Sequence, residues 1–274
     1  MTEQVNSSGT GCRASRLICC LLLAAFSLLV FSCRNRALLD QAQVAWDGED
    51  FQTAADCYEK FLKENPASER AAYAHFQAGN IYLLKLKQYD RAVTHYVQLI
   101  EGFPRSPDLF QARQRLAKAY VAMGKRREAI NELENLLIAF PDKADKRRTR
   151  LEIADLYFDQ TDLSQALAEY QKVVKDSPYD PLAERAYLQI GGICVLRDDF
   201  EDATAAYQEV VRQTTDKEIR RQASIGLSDC YVRMLRFEDA VKILEQAEPD
   251  PKAPDDLRRR IASVRELQKQ RGLQ

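Results

Sequence analysis

Two patterns of apolar residues divide the chain. Residues 17–31 (LICCLLLAAFSLLVF) are almost wholly apolar. From residue 37 onward apolar positions instead alternate with polar ones at helical spacing, and one set recurs along the chain. Alanines stand at 54, 92, 129, 166, 203 and 240, spaced 38, 37, 37, 37 and 37 residues apart. Four residues after each comes a ring or leucine: Tyr58, Tyr96, Leu133, Tyr170, Tyr207 and Leu244. Three before, the residues are Phe51, Tyr89, Arg126, Leu163, Phe200 and Phe237. Twelve after the first four alanines come Pro66, Pro104, Pro141 and Pro178.

This spacing predicts six helix-turn-helix units over residues 37–251. Alanine lets the two helices of a unit approach closely, and the ring one turn later fills the gap between units. Proline cannot continue a helix and disfavours helical geometry in the residue before it, so it stops each second helix. Ser106-Pro107 and Asp180-Pro181 place a capping side chain ahead of a proline that starts the next helix. The first helices of repeats two, three, four and six carry a small residue and, three places on, an aromatic, as in Gly79-Asn80-Ile81-Tyr82 and Ala154-Asp155-Leu156-Tyr157, and repeat five has Gly191 and Cys194 there. Residues 252–274 read as a C-terminal capping helix and tail, polar and suited to shielding the last unit.

The pattern resembles the tetratricopeptide repeat. That resemblance implies an all-α, right-handed α-solenoid whose concave face is lined by first helices and binds peptides or helices. The usual period is about 34 residues, so the excess reads as a longer connection before each first helix. Repeat one carries Ala45 where the aromatic belongs, and repeats five and six lack the closing proline. By the family's register, Trp46, Tyr73, Phe76, Asn80, Leu83 and Lys118 line the groove. Too few Lys and Asn stand there for the carboxylate-clamp version of the repeat.

The N-terminus reads as an address. Arg13 and Arg16 precede the apolar stretch, and Ser32 and Cys33 follow it, at the border of a charged run. This is the layout of an export signal, and the stretch is shorter than the roughly 20 residues of a membrane-spanning helix. Val30-Phe31-Ser32-Cys33 resembles a bacterial lipobox, with a bulky Phe31 at its middle position. The resemblance implies that residues 1–32 are removed as a signal peptide, that Cys33 is acylated, and that residues 33–36 form a short tether. An uncleaved signal anchor is the alternative. Cys57, Cys194 and Cys230 then remain. A Cys194–Cys230 bridge is one reading, and buried free thiols fit their apolar slots better.

Composition adds exclusions. Charged residues make up 30% of the chain and hydrophobic ones 46%, and the formal net charge of −1 points to neither nucleic acid nor an anionic surface as partner. His75 and His95, the two histidines, read as ordinary helix residues, and no Cys/His cluster has metal-ligand spacing. No phosphate-cradling loop or nucleophile–base pair is recognisable. The expectation is a protein without cofactor, small-molecule substrate or enzymatic activity.

The combination of lipobox and repeats resembles the lipoprotein of the outer-membrane β-barrel assembly machinery and the periplasmic repeat proteins of the Tol–Pal system. It implies a scaffold of cell-envelope biogenesis, lipid-anchored at the periplasmic face of the outer membrane, with other envelope proteins as partners. The alternative is an adaptor anchored at the inner membrane, serving secretion, cell-wall or polysaccharide export.

Overall fold

A computed structural model of the chain describes residues 36–142 and 145–272. The signal-like stretch and Cys33 lie outside these residues. The helices are α1 (36–47), α2 (Phe51–Glu64), α3 (Ala71–Asn80, running on into a π-helical turn, Ile81–Leu86), α4 (Tyr89–Gly102), α5 (Leu109–Ala122) and α6 (Arg126–Ala139). They continue as α7 (Lys146–Asp159), α8 (Leu163–Asp176), α9 (Pro181–Leu196), α10 (Phe200–Gln213), α11 (Lys217–Arg233), α12 (Phe237–Gln246) and α13 (Asp256–Gln270). Among the described residues this makes six helix pairs and a final helix that packs on α12. The expected all-helical repeat architecture is what the chain forms.

The chain divides within α6 into two compact units, one ending at Glu132 and one starting at Leu133. Each has its own core. Tyr58, Phe61, Tyr82, Tyr96 and Leu99 anchor the first, and Tyr170, Val173, Ile193, Tyr207 and Leu244 the second. All six register alanines are 0% exposed, as close helix approach requires. Side chains this buried account for most of the stability of amphipathic helices, which are marginal alone.

Chain punctuation follows the sequence. α2, α4, α6 and α8 each end two residues before Pro66, Pro104, Pro141 and Pro178. Asp180 caps α9 through the Ala183 amide, with Pro181 as first helical residue. Arg147 of α7 clasps that corner, donating to the Val173 and Ser177 carbonyls and to Asp180. The guanidinium holds the Asp180 carboxyl at about 2, well below the usual range. The Ser106-Pro107 start is displaced: the Ser106 hydroxyl accepts from the Asp108 amide in a turn, and α5 begins at Leu109. The extra length over the family period is also distributed differently. The connections before α3 and α5 have six residues, but those before α9 and α11 have four and three. There the first helices themselves are longer, at 16 and 17 residues.

Every turn within a pair has one residue in the left-handed region, always five before the register alanine: Glu49, Lys87, Gly124, Thr161, Asp198 and Leu235. The amide of the following residue reaches back to the first helix, as Lys125 does to the Tyr120 carbonyl and Asp162 to that of Tyr157. In repeat two this bond spans six residues, from Gln88 to Tyr82, instead of five. The added residue is the one that makes the first register spacing 38. A π turn absorbs one extra residue within a helix, so everything on α3 before that turn is shifted by one relative to the other repeats.

Candidate functional site

The faces of the first helices carry the side chains not used in pairing. In the first unit, Leu39, Asp40 and Gln43 of α1 meet Arg70, which precedes α3, and Tyr73 of α3 around an open cavity of about 400 Å³. Tyr73 is 42% exposed and leans edge-on against Tyr58, ring centres 6.3 Å apart. It also borders a cleft of about 630 Å³ with Phe103, Pro104, Ser106 and Pro107. The connection before α5 thus forms one wall of a surface that Tyr73 divides in two.

The other expected groove residues are placed as follows. Trp46 is half-buried, 5.3 Å edge-on from Phe51 with the Lys85 ammonium 5.5 Å from its ring centre. Phe76 is half-buried, 6.4 Å from the Tyr96 ring. Asn80 accepts the Tyr96 hydroxyl at 2.8 Å, so its carboxamide oxygen is occupied within the chain. Lys118 is exposed on α5. Leu83 is corrected: at 5% exposure it belongs to the core, and the π turn puts Leu84, 40% exposed, on the surface. Cys33, the expected acylation site, lies outside the described residues.

One repeat position on these faces, of which Trp46 is an expected groove residue, is apolar throughout. Eight residues before each register alanine stands Trp46, Leu84 and Val121 in the first unit, and Phe158, Val195 and Val232 in the second. All six are apolar and none is fully buried. A fixed apolar position that folding leaves open is the kind of surface that takes up partner side chains. On the second unit the column is flanked by charge: Arg185 pairs with Asp155, which also accepts the Tyr170 hydroxyl at 2.6 Å. The signal was available at the same register that exposed the repeat.

The first unit also buries a polar network. His75 Nδ1 and His95 Nδ1 are 3.1 Å apart, and His95 Nε2 lies 3.4 Å from Glu59 Oε1. Tyr82 donates to the same oxygen at 2.9 Å and Arg91 at 2.5 Å. The Tyr82 ring stacks on His95 at 5.6 Å, and the Arg91 guanidinium lies over the Tyr82 ring at 4.1 Å. Burial holds His75 at about 4 and also lowers His95. Both rings are therefore neutral at pH 7. With His95 Nε2 donating to the carboxylate, its Nδ1 accepts and His75 Nδ1 donates. These histidines brace helices. Among the described residues no group of His, Cys, Asp and Glu has the geometry to hold a metal ion.

Cys57, Cys194 and Cys230 are free thiols, the last two buried. Burial raises all three, Cys230 to about 11, which keeps it protonated and a poor nucleophile. No described helix is long and apolar enough to cross a membrane.

Comparison with known proteins agrees with this architecture. The tetratricopeptide repeat family matches residues 39–107, 115–181 and 151–218. A tetratricopeptide repeat protein from Parabacteroides merdae is similar in structure, with a TM-score of 0.53 and 16% identity over 86% of this chain and 88% of that one. YrrB, a repeat protein described as having an unusual peptide-binding site, gives 0.52 and 17% over 79% of this chain and 100% of its own. MamA gives 0.51 and 17% over 65% and 90%. At these identities the likeness is one of fold. No curated protein matches the chain.

Proposed function

The chain belongs to the tetratricopeptide repeat family, and from that premise we propose that it is a membrane-tethered scaffold of cell-envelope biogenesis, holding protein partners against its first helices. Repeats of this family are protein-interaction scaffolds and in general not enzymes. The observation that carries the reading is the apolar column, kept at one position in all six repeats though packing leaves it partly open. Folding alone does not require Leu84 or Val121 to be apolar at 40% and 47% exposure.

The envelope setting rests on the lipobox-like Val30–Cys33 stretch and on the export-signal layout before it. Acylation at Cys33 keeps the first repeat, described from residue 36, close to the membrane surface. Several acyl chains on one cysteine give stable anchoring where a single chain is marginal. The partners are envelope proteins or their extended segments, with outer-membrane assembly subunits the first candidates.

Cys33→Ala tests the tether. Lipid labelling and sedimentation with membranes are expected to disappear together, while helical content is unchanged. Labelling that persists in Cys33→Ala contradicts the tether. Affinity purification from detergent-solubilised envelope tests the setting. Recovery of β-barrel assembly subunits supports it, and recovery of inner-membrane export components alone overturns the outer-membrane assignment.

A further inference from the structure

Buried tyrosines follow the register alanine by four residues in several repeats, and two of them show how their hydroxyls are used. Tyr96 donates to Asn80 at 2.8 Å and Tyr170 to Asp155 at 2.6 Å. Both acceptors sit at one repeat position, 15 residues before the tyrosine in repeat four and 16 in repeat two, where the π turn adds one. In repeat five the same position is Gly192.

Tyr207 is 8% exposed, and its hydroxyl makes no hydrogen bond among the described residues. A Cβ at Gly192 would stand 3.9 Å from that oxygen, so the space filled by Asn80 or Asp155 in the other repeats is open here. The ring cannot swing away. A Cβ at Gly191 of α9 or at Gly226 of α11 would come within 2.6 Å of it, so glycines on both helices clasp the ring. Packing does not demand the hydroxyl, because repeats three and six hold Leu133 and Leu244 at this place, 5% and 2% exposed. Repeat five thus keeps a fixed donor and removes the side chain that would have satisfied it.

Asp229 of α11 holds the Gly192 position in repeat six, with a side chain 64% exposed and Arg260 of α13 4.0 Å away. Its charge opposes a second carboxylate near Tyr207. A neutral amide suits both groups, offering C=O to the hydroxyl and N–H to the carboxylate. Glycine at 192, where a Cβ would meet nothing nearer than the Tyr207 oxygen at 3.9 Å, lets a main chain come close. Leu188 and Val195 on α9 and Ile225 on α11, all half-buried, flank the notch with apolar surface.

We infer that repeat five contains a peptide-unit site in which the Tyr207 hydroxyl donates to a main-chain carbonyl of an extended partner segment lying over Gly192. The site deepens the scaffold function and rests on the first-helix face being the binding face.

The probe is a set of random peptides selected by display on the full-length chain. Their affinities are then measured for Tyr207→Phe and Gly192→Asn. The first removes the donor; the second supplies the internal acceptor of repeat two. Selected peptides are expected to lose about tenfold with either variant, the scale of one satisfied hydrogen bond. Gly192→Asn is expected to raise the melting temperature with Tyr207 present and not in the Tyr207→Phe background. Peptides that bind all three proteins equally overturn the site and leave the groove reading standing. Loss with Gly192→Asn alone marks a steric effect and also overturns it. A selection that yields no peptide overturns site and groove reading together.

Discussion

His75 and His95 meet Nδ1 to Nδ1 at 3.1 Å inside the first unit. This contact needs one ring to donate and the other to accept, and with His75 Nδ1 donating it requires His95 Nδ1 to be unprotonated. Protonating His95 puts two N–H groups face to face, and a proton on His75 Nε2 puts a charge into a buried site beside His95.

Stability of the first unit therefore depends on pH. Unfolded His75 takes up a proton near 6.5, but folded His75 resists until about 4. Between these values the unfolded state binds more protons, so stability rises with pH across that window and is flat above it. The span corresponds to roughly 3 kcal/mol at most. Glu59, whose carboxyl is lowered, adds a loss of the same sign at the acid end. Trp46 is the only tryptophan and sits in this unit, so its fluorescence reports the transition. Urea midpoints at several pH values are expected to fall from pH 6.5 to 4.5 in the natural chain and to fall less in His75→Gln.

The left-handed turns differ in cost. A non-glycine residue there is strained by about 1–2 kcal/mol, part of which glycine returns through its freer unfolded chain. Thr161, β-branched at φ 61°, is the poorest fit, whereas repeat three already has Gly124 at φ 72°. Thr161→Gly is expected to stabilise the second unit by about 0.5–1 kcal/mol. Gly124→Ala is expected to destabilise by about 1 kcal/mol. Denaturant midpoints decide, and equal midpoints for Thr161→Gly and the natural chain contradict the strain.

Close packing of glycine on tyrosine is equally testable. A Cβ at Gly79 would lie 2.7 Å from the Tyr96 ring, and one at Gly191 2.6 Å from Tyr207. Helix propensity alone would favour alanine by up to about 1 kcal/mol. Overpacking outweighs this, and Gly191→Ala is expected to lose about 1–3 kcal/mol. Pairing it with Tyr207→Leu, the residue type repeats three and six use, is expected to recover part of that loss.

Much of this architecture is legible from residues that do one job each. The alanines give the register because a close helix contact admits little else, and the prolines give four helix ends through backbone sterics alone. The spacing of 38 is equally visible, but the family's register, applied without an inserted residue, puts Leu83 in the groove. A helix can take an extra residue internally, and the Gly79-to-Tyr96 offset, one greater than Gly191-to-Tyr207, records it. The groove residues were harder to read because one position serves two purposes: Asn80 satisfies a tyrosine from within, and Trp46 packs on Phe51. The histidine network was hidden because its members come from three helices and the π turn, and no local spacing links Glu59 to His95. The apolar column was in plain view but falls between the signature positions.

The central claim is that the first-helix faces hold envelope partners. A photo-crosslinking amino acid placed at Gln43, in the cavity between α1 and α3, tests it in living cells, with the exposed Lys63 of α2 as control. The account predicts discrete adducts with envelope proteins from position 43, none from 63, and loss of the adducts in Cys33→Ala. Equal labelling from both positions, or none from 43, contradicts it.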